Sequence, residues 1–361
     1  MTAPVSEAKP WIVVVGGFLG AGKTTLLLAA AEELKKRGLR SAVVMNDQGE
    51  SLVDTEFASI HGLQSGEVTG GCFCCRLSEL VRVMDDLRRF SPDVIFAEPV
   101  GSCTDISATT LQPLREYSDQ YRLAPFTVLV DPARARELLQ ADADANLKFL
   151  FDKQLQEADL ICFTKADVDP IVPEIEGVDA HDVRQLSAKS GLGVAAWLDE
   201  IFSGRLSAGS KILDIDYAQY ARAEAALAWL NVDVDIRPAT ALSPAQVIGP
   251  LLDDLDTDFT AADIAVVHLK AIVNSDTGYV KAAVCANGQE PVVEGNLDSS
   301  PALQHNLCLN LRAVGTAAQV QAVVERNLAR IDGRFENLQI SCFHPAAPKP
   351  ERRIAERMPF P

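Results

Sequence analysis

The 361-residue sequence predicts an α/β fold: a doubly wound, mostly parallel sheet, followed by a smaller α+β domain. Three observations carry this expectation. Over residues 1–205, short β-branched runs alternate with amphipathic stretches, the pattern of a parallel sheet covered by helices on both faces. A Gly- and Ser-bearing stretch at 203–210 then breaks the periodicity and reads as a linker. Beyond it, over 211–344, the rhythm becomes strand, helix, three strands, helix, strand, which fits a split-βαβ, ferredoxin-like unit with an inserted hairpin strand.

Taken in order, the strands are expected at 11–17, 41–46, 94–97, 126–130 and 160–164. Apolar residues at helical spacing place helices at 24–37, 77–90, 133–139 and 148–158. In the second domain, strands are expected at 228–236, 264–274, 279–286, 306–313 and 338–342. Helices fall at 244–255, with Ser243 as N-cap, and at 317–331. Residues 345–361, rich in proline and carrying Arg352 and Arg353, read as an extended arm.

Composition bounds the function. The chain is 48% hydrophobic and 23% charged, ordinary for a soluble globular protein, and has no apolar run of bilayer length and no secretory signal, so a cytoplasmic location away from membranes is expected. A net charge of −17 disfavours nucleic acid as a partner. Eight cysteines in such a chain point to free thiols, metal ligands or redox groups rather than a disulfide framework.

The chemistry begins at Gly17-Phe-Leu-Gly20-Ala21-Gly22-Lys23-Thr24-Thr25, which follows an apolar strand and opens a helix. It fits the phosphate-binding loop G-x-x-x-x-G-K-[ST], whose glycines let backbone N–H groups wrap a β-phosphate while Lys23 reaches the β/γ oxygens and Thr24 holds Mg²⁺. A helix N-terminus there favours an anion. The segment Asn46-Asp47-Gln48-Gly49-Glu50, with Asp54 beyond, follows the second strand and could carry Asp47 to Mg²⁺ or sense a γ-phosphate; it also reads as a polar turn. Glu98 ends a strand, where a carboxylate can position the attacking water or contact Mg²⁺, and Gly101 can bring its N–H to the γ-phosphate; a solvated strand end is the alternative. Lys23 and Glu98 are thus the expected catalytic pair. In Thr164-Lys165-Ala166-Asp167, Asp167 can accept from the two donors on one edge of guanine while the stem of Lys165 lies along the base, and Ser187-Ala188 can offer an amide to its carbonyl.

Gly70-Gly71-Cys72-Phe73-Cys74-Cys75 places three thiols within four residues, ahead of a helix. They can converge on Zn²⁺, Co²⁺, Ni²⁺ or Cu⁺, provided the backbone turns irregularly, and leave a fourth position open. Buried structural cysteines or a redox pair remain open as readings. Cys103, Cys162, Cys285, Cys308 and Cys342 are expected to pack as small hydrophobes.

The order of these motifs over roughly the first 200 residues resembles the CobW-like P-loop GTPases, relatives of the maturation GTPases HypB and UreG. The resemblance implies a GTPase cycling between GTP and GDP with Mg²⁺. It also implies a transition metal, commonly Zn²⁺ or Co²⁺, at Cys72, Cys74 and Cys75, delivered alone or as a metal cofactor to a client metalloprotein or corrinoid-dependent protein. Three departures stand out: Thr164 replaces the usual Asn of Asn-Lys-x-Asp, Gln48 stands where an aromatic is common, and Glu98 precedes Pro99 rather than a hydroxyl residue. The five histidines are dispersed, so there is no histidine-rich metal store. No arginine finger accompanies the loop, so slow intrinsic turnover is expected, with a partner or a homodimer able to supply one. A small-molecule kinase, or a nucleotide-dependent activator of a corrinoid or metalloenzyme without its own metal, are the competing functions.

Overall fold

A computed structural model describes residues 9–47 and 53–356, so Gln48, Gly49 and Glu50 of the second motif lie outside the described residues. Among the described residues the chain divides into two compact units, the first formed by 9–47, Asp54–Tyr220 and 348–356, the second by Ala221–Ala347 with Val53.

In the first unit, β1 (Trp11–Gly17), β2 (Ser41–Asn46), β3 (Gln64–Val68), β4 (Val94–Glu98), β6 (Thr127–Val130), β7 (Leu160–Phe163) and β8 (Val183–Gln185) form a parallel sheet ordered β3-β2-β4-β1-β6-β7-β8. The short β5 (Arg122–Leu123) also pairs with β1. Ile12 to Val15 of β1 are fully buried, as a central parallel strand covered on both faces requires. The chain leaves β1 on one side for β2 and later returns to the other side at β6, so the carboxyl end of β1 lies at the switch in strand order where such sheets bind ligands. Register sets Val14 against Ala97 and Met45 against Glu98, which brings the end of β4 between the ends of β1 and β2. This is the P-loop NTPase arrangement.

The second unit is antiparallel. Its strands β9 (Leu227–Pro238), β10 (Ala265–Ser275), β11 (Gly278–Val284), β12 (Val292–Gly295), β13 (His305–Val314) and β14 (Gly333–Phe343) are ordered β12-β11-β10-β13-β9-β14. Without the β11–β12 hairpin, this is the ferredoxin-like order. Helices Pro244–Ala261 and Ala317–Leu328 supply Val247, Leu251, Leu255, Val320 and Val324 to a core shared with the sheet. Both begin with a capping box, Ser243 with Gln246 and Thr316 with Gln319, each cap contributing about 1 kcal/mol.

Two expectations change. The stretch at 203–210 is not a free linker: the buried Asp159 carboxylate accepts from the Gly209 and Ser210 N–H groups, and the Arg115 guanidinium donates to the Ala208 carbonyl at 2.5 Å. The first unit therefore continues past residue 205 to Tyr220. Glycine and serine there signal missing periodicity, not missing partners. The proline-bearing tail, likewise without helix or strand, is laid on the first unit: Glu351 N–H donates to the Cys74 carbonyl and Ile354 N–H to the Ala108 carbonyl, both at 2.9 Å.

Candidate nucleotide and metal site

The loop after β1 bends where sequence demanded it. Gly17 sits at φ 136°, where a Cβ would lie 2.5 Å from the Leu129 carbonyl oxygen, and Gly22 sits at φ 87° as the N-cap of α1 (Lys23–Lys36). No side chain caps α1 and its first turn carries no acid, so its amino end is suited to an anion. Gly20 and Ala21 complete the loop, with Ala21 N–H donating to the Phe18 carbonyl, and Thr25 lies partly exposed in the first turn. Lys23 is 8% exposed, and its ammonium donates to the Gly17 carbonyl at 2.9 Å, held over the loop.

The Thr24 hydroxyl lies 2.9 Å from an Asp54 carboxylate oxygen and 3.1 Å from one of Glu98. One hydroxyl proton cannot serve both carboxylates at once, and three hard oxygens so grouped fit Mg²⁺. Asp54, in the first turn of α2 (Val53–Ile60), is the carboxylate beyond the second motif that meets Thr24. The Asp47 N–H extends the β2–β3 pairing, donating to the Val68 carbonyl at 3.3 Å. Gly101 crosses the phosphate loop so closely that a Cβ there would lie 2.7 Å from Leu19 and 3.1 Å from the Lys23 ammonium.

The segments around Thr164 and Ser187 also meet. Ala166 N–H donates to the Leu186 carbonyl, bringing 164–167 beside Ser187 and Ala188. The Thr164 hydroxyl anchors to the Val130 carbonyl at 3.3 Å, Lys165 at φ 58° reaches the buried Asp131 at 2.6 Å, and Asp167 is left exposed. Asp131, which fixes the lysine stem, carried no sequence signal beyond its own strand end.

The cysteine segment turns on itself: Cys75 and Arg76 N–H groups both donate to the Cys72 carbonyl, at 2.9 and 3.0 Å, immediately before α3 (Leu77–Leu87). This is the irregular turn that adjacent ligands need. The sulfurs of Cys72, Cys74 and Cys75 lie within 4.8 Å of one another, with Cys72–Cys75 at 3.5 Å and Cys74–Cys75 at 3.6 Å. Zn–S bonds of about 2.3 Å in a tetrahedron place sulfurs about 3.8 Å apart, so the donor set fits such an ion. Asn46 holds the segment, its amide donating to the Val68 and Gly71 carbonyls at 2.9 and 2.8 Å while its oxygen accepts from Phe73 N–H at 2.9 Å. The second motif thus clamps the thiol loop through its first residue, a role the sequence did not reveal. Lys349 N–H of the tail donates to the Cys75 sulfur at 3.2 Å, and the Glu351 carboxylate accepts from the Ser78 N–H and hydroxyl at the start of α3.

Cys103 corrects the expectation of a packed hydrophobe, because its thiol contacts those of Cys72 and Cys74. Hydrogen bonds from Cys103, Cys74 and Cys75 hold the Cys72 thiol well below its ordinary pKa. Hydrogen bonding with Cys103, Cys72 and Cys75, together with burial, holds Cys74 above its own. Cys75 is pushed up to about 11, chiefly by its bond with Cys72. An ion bound by these sulfurs would displace the protons that the thiols carry.

The segment bearing Cys103 is fixed by helix Ala145–Glu157: Gln154 donates to the Gly101 and Cys103 carbonyls at 3.0 and 2.9 Å, and Glu157 accepts from the Thr104 hydroxyl and Ser107 N–H at 3.1 and 3.0 Å. Burial pushes the Glu157 carboxyl up to about 8, with Asp105 adding repulsion. Since its unfolded value is about 4.3, its favourable contribution to folding is complete below that pH and is lost as pH rises through 8. Glu157→Gln is expected to match the parent near pH 5 and to exceed it above pH 8 by on the order of a few kcal/mol, at about 1.4 kcal/mol per pKa unit. Thermal unfolding at pH 5 and pH 9 measures this, and parallel pH profiles would refute it.

Residues 11–190 match the family described as CobW/HypB/UreG, nucleotide-binding domain. Among curated relatives, the chain is 30% identical over 167 residues to the zinc chaperone YjiA of Escherichia coli, covering 44% of this chain and 49% of that protein. It is 29% identical over 217 residues to the zinc-regulated GTPase metalloprotein activator 1 of Schizosaccharomyces pombe, covering 57% of this chain and 49% of that protein. The chain thus spans about half the length of these relatives. Among solved structures, HypB from Helicobacter pylori in complex with nickel aligns at 17% identity with a TM-score of 0.42, over 55% of this chain and 90% of its own, too distant to bear on the site.

Proposed function

Because this chain belongs, through residues 11–190, to the CobW/HypB/UreG family of nucleotide-binding domains, we propose that it is a GTP-hydrolysing metallochaperone. It binds a transition metal, Zn²⁺ or Co²⁺ with Ni²⁺ also compatible, at Cys72, Cys74 and Cys75, and delivers it, alone or within a cofactor, to a client metalloprotein or corrinoid-dependent protein in the cytoplasm. The observation that carries this reading is the convergence of three thiols on a segment clamped by Asn46, at the end of β2, which β4 alone separates from the strand that leads into the phosphate loop. Relatives named zinc chaperones support zinc as the first metal to test.

In this account Lys23 binds the β- and γ-phosphates, Asp167 with Lys165 selects guanine, and Ser187 and Ala188 cover its carbonyl. Thr24, Asp54 and Glu98 would hold Mg²⁺, which supplies charge neutralisation at the phosphates. Glu98, buried beside Thr24, orients the attacking water, and Gly101 N–H faces the γ-phosphate. Asn46 at the end of β2 clamps the thiol loop, and Glu98 at the end of the neighbouring β4 meets Thr24, so a change at the phosphates reaches the metal through these two strand ends.

Acceptor-free hydrolysis separates this from a small-molecule kinase. GTP is expected to be hydrolysed slowly without any acceptor, at well below 1 s⁻¹ as for GTPases lacking an arginine finger, and in preference to ATP. Consumption of ATP only when an acceptor is added would replace this reading with the kinase, and protein purified without chelator yet free of metal would favour a nucleotide-dependent activator.

A further inference from the structure

We propose that Cys103 is the fourth sulfur donor of the metal centre, so that the ion is held jointly by the Cys72–Cys75 turn and by the loop that follows β4. The inference rests on the metal-binding reading above and adds a ligand from outside the motif.

The motif supplies three sulfurs, and a tetrahedral site has a fourth position. Among the described residues, no carboxylate or imidazole joins that group. The tail brings a backbone N–H to Cys75, a donor of hydrogen bonds and not of electron pairs. Cys103 is 96% buried and its thiol meets those of Cys72 and Cys74, the two deepest sulfurs of the three. It lies outside the group of three sulfurs that are mutually within 4.8 Å, so joining the ion requires its side chain to shift toward them. Each ligating thiol gives its proton to solvent as its sulfur lone pair forms the bond to the metal.

The position of Cys103 gives the proposal its consequence. It lies five positions after Glu98, whose carboxylate lies on the Thr24 hydroxyl, and two after Gly101, which lies against the Lys23 ammonium. Cys103 N–H donates to the Val100 carbonyl at 3.0 Å and Gln154 grips the carbonyls of Gly101 and Cys103, so the three positions move as one turn. A γ-phosphate that displaces Gly101 would thereby displace one ligand of the metal. The motif alone offers no donor tied to Lys23 in this way.

Co²⁺ titration of the full chain tests the ligand directly, because sulfur-to-cobalt charge transfer grows with each thiolate bound. In Cys103→Ser and Cys103→Ala, the absorbance per bound cobalt is expected to fall to about three quarters of the parent's, and Zn²⁺ affinity by competition to fall at least as far as the ~10–100-fold typical of lost outer-shell partners. Cys162→Ser, a buried thiol on β7, serves as control and is expected to leave both unchanged. Unfolding transitions confirm that both Cys103 variants are folded. Parent protein that takes up no cobalt would refute the metal reading itself. Parent and Cys103 variants with equal charge-transfer intensity and equal affinity would overturn only the assignment of Cys103.

Discussion

Replacing Cys72, Cys74 and Cys75 together with serine is expected to abolish tight binding of Zn²⁺ or Co²⁺ while leaving GTP and GDP affinity within a few-fold of the parent. Thiolate zinc sites in small peptides reach apparent binding energies of about 10–16 kcal/mol at neutral pH, and serine, far harder to deprotonate, recovers little of that. The loss should therefore exceed 10⁴-fold, large enough for chelator competition to read without ambiguity. The nucleotide arm follows from geometry: Asp54 and Glu98 each accept from the Thr24 hydroxyl, and the thiol turn is held by Asn46 through backbone groups that serine does not alter. Calorimetric titration of GDP into the triple variant measures the second arm. Metal affinity that survives the substitution would remove the thiols from the account.

Lys23→Ala is the second large effect. The ammonium is buried over the phosphate loop with the Gly17 carbonyl as its partner, so alanine deletes a positioned charge and leaves the loop otherwise intact. Loss of one such preorganised donor costs about 10²–10³ in turnover, and GTP hydrolysis should fall by at least that factor with weaker triphosphate binding. Metal binding to Lys23→Ala should persist but no longer respond to nucleotide, because the group that senses the γ-phosphate beside Gly101 is gone. Turnover within tenfold of the parent would contradict the role given to Lys23.

The phosphate loop was legible because its chemistry is written in backbone conformations: Gly17 and Gly22 occupy positive φ, and glycine is the residue that does so at no cost. The thiol centre was legible from spacing, since Cys72, Cys74 and Cys75 share one turn. The ferredoxin-like unit followed from long strands and two helices with serine or threonine caps. What escaped was whatever depends on tertiary contact. The bond between Asp54 and Thr24 joins residues 30 apart in sequence, and no local pattern sets such a contact. Cys103 stands in a different loop from the motif, and only the adjacency of β2 and β4 brings it there. The stretch near Gly209 and the tail near Glu351 lack periodicity, which says nothing of the buried Asp159 or of the Cys74 carbonyl that hold them.

The central claim is that nucleotide state sets metal affinity. Competition titration of Zn²⁺ against a chelating dye, with the full chain saturated by a non-hydrolysable GTP analogue or by GDP, tests it most directly. The account predicts affinities that differ by about 5–150-fold, the range of a 1–3 kcal/mol coupling, and by thermodynamic linkage the same factor in nucleotide affinity with and without metal. Equal zinc affinity in the two forms would contradict it, whatever the thiols bind.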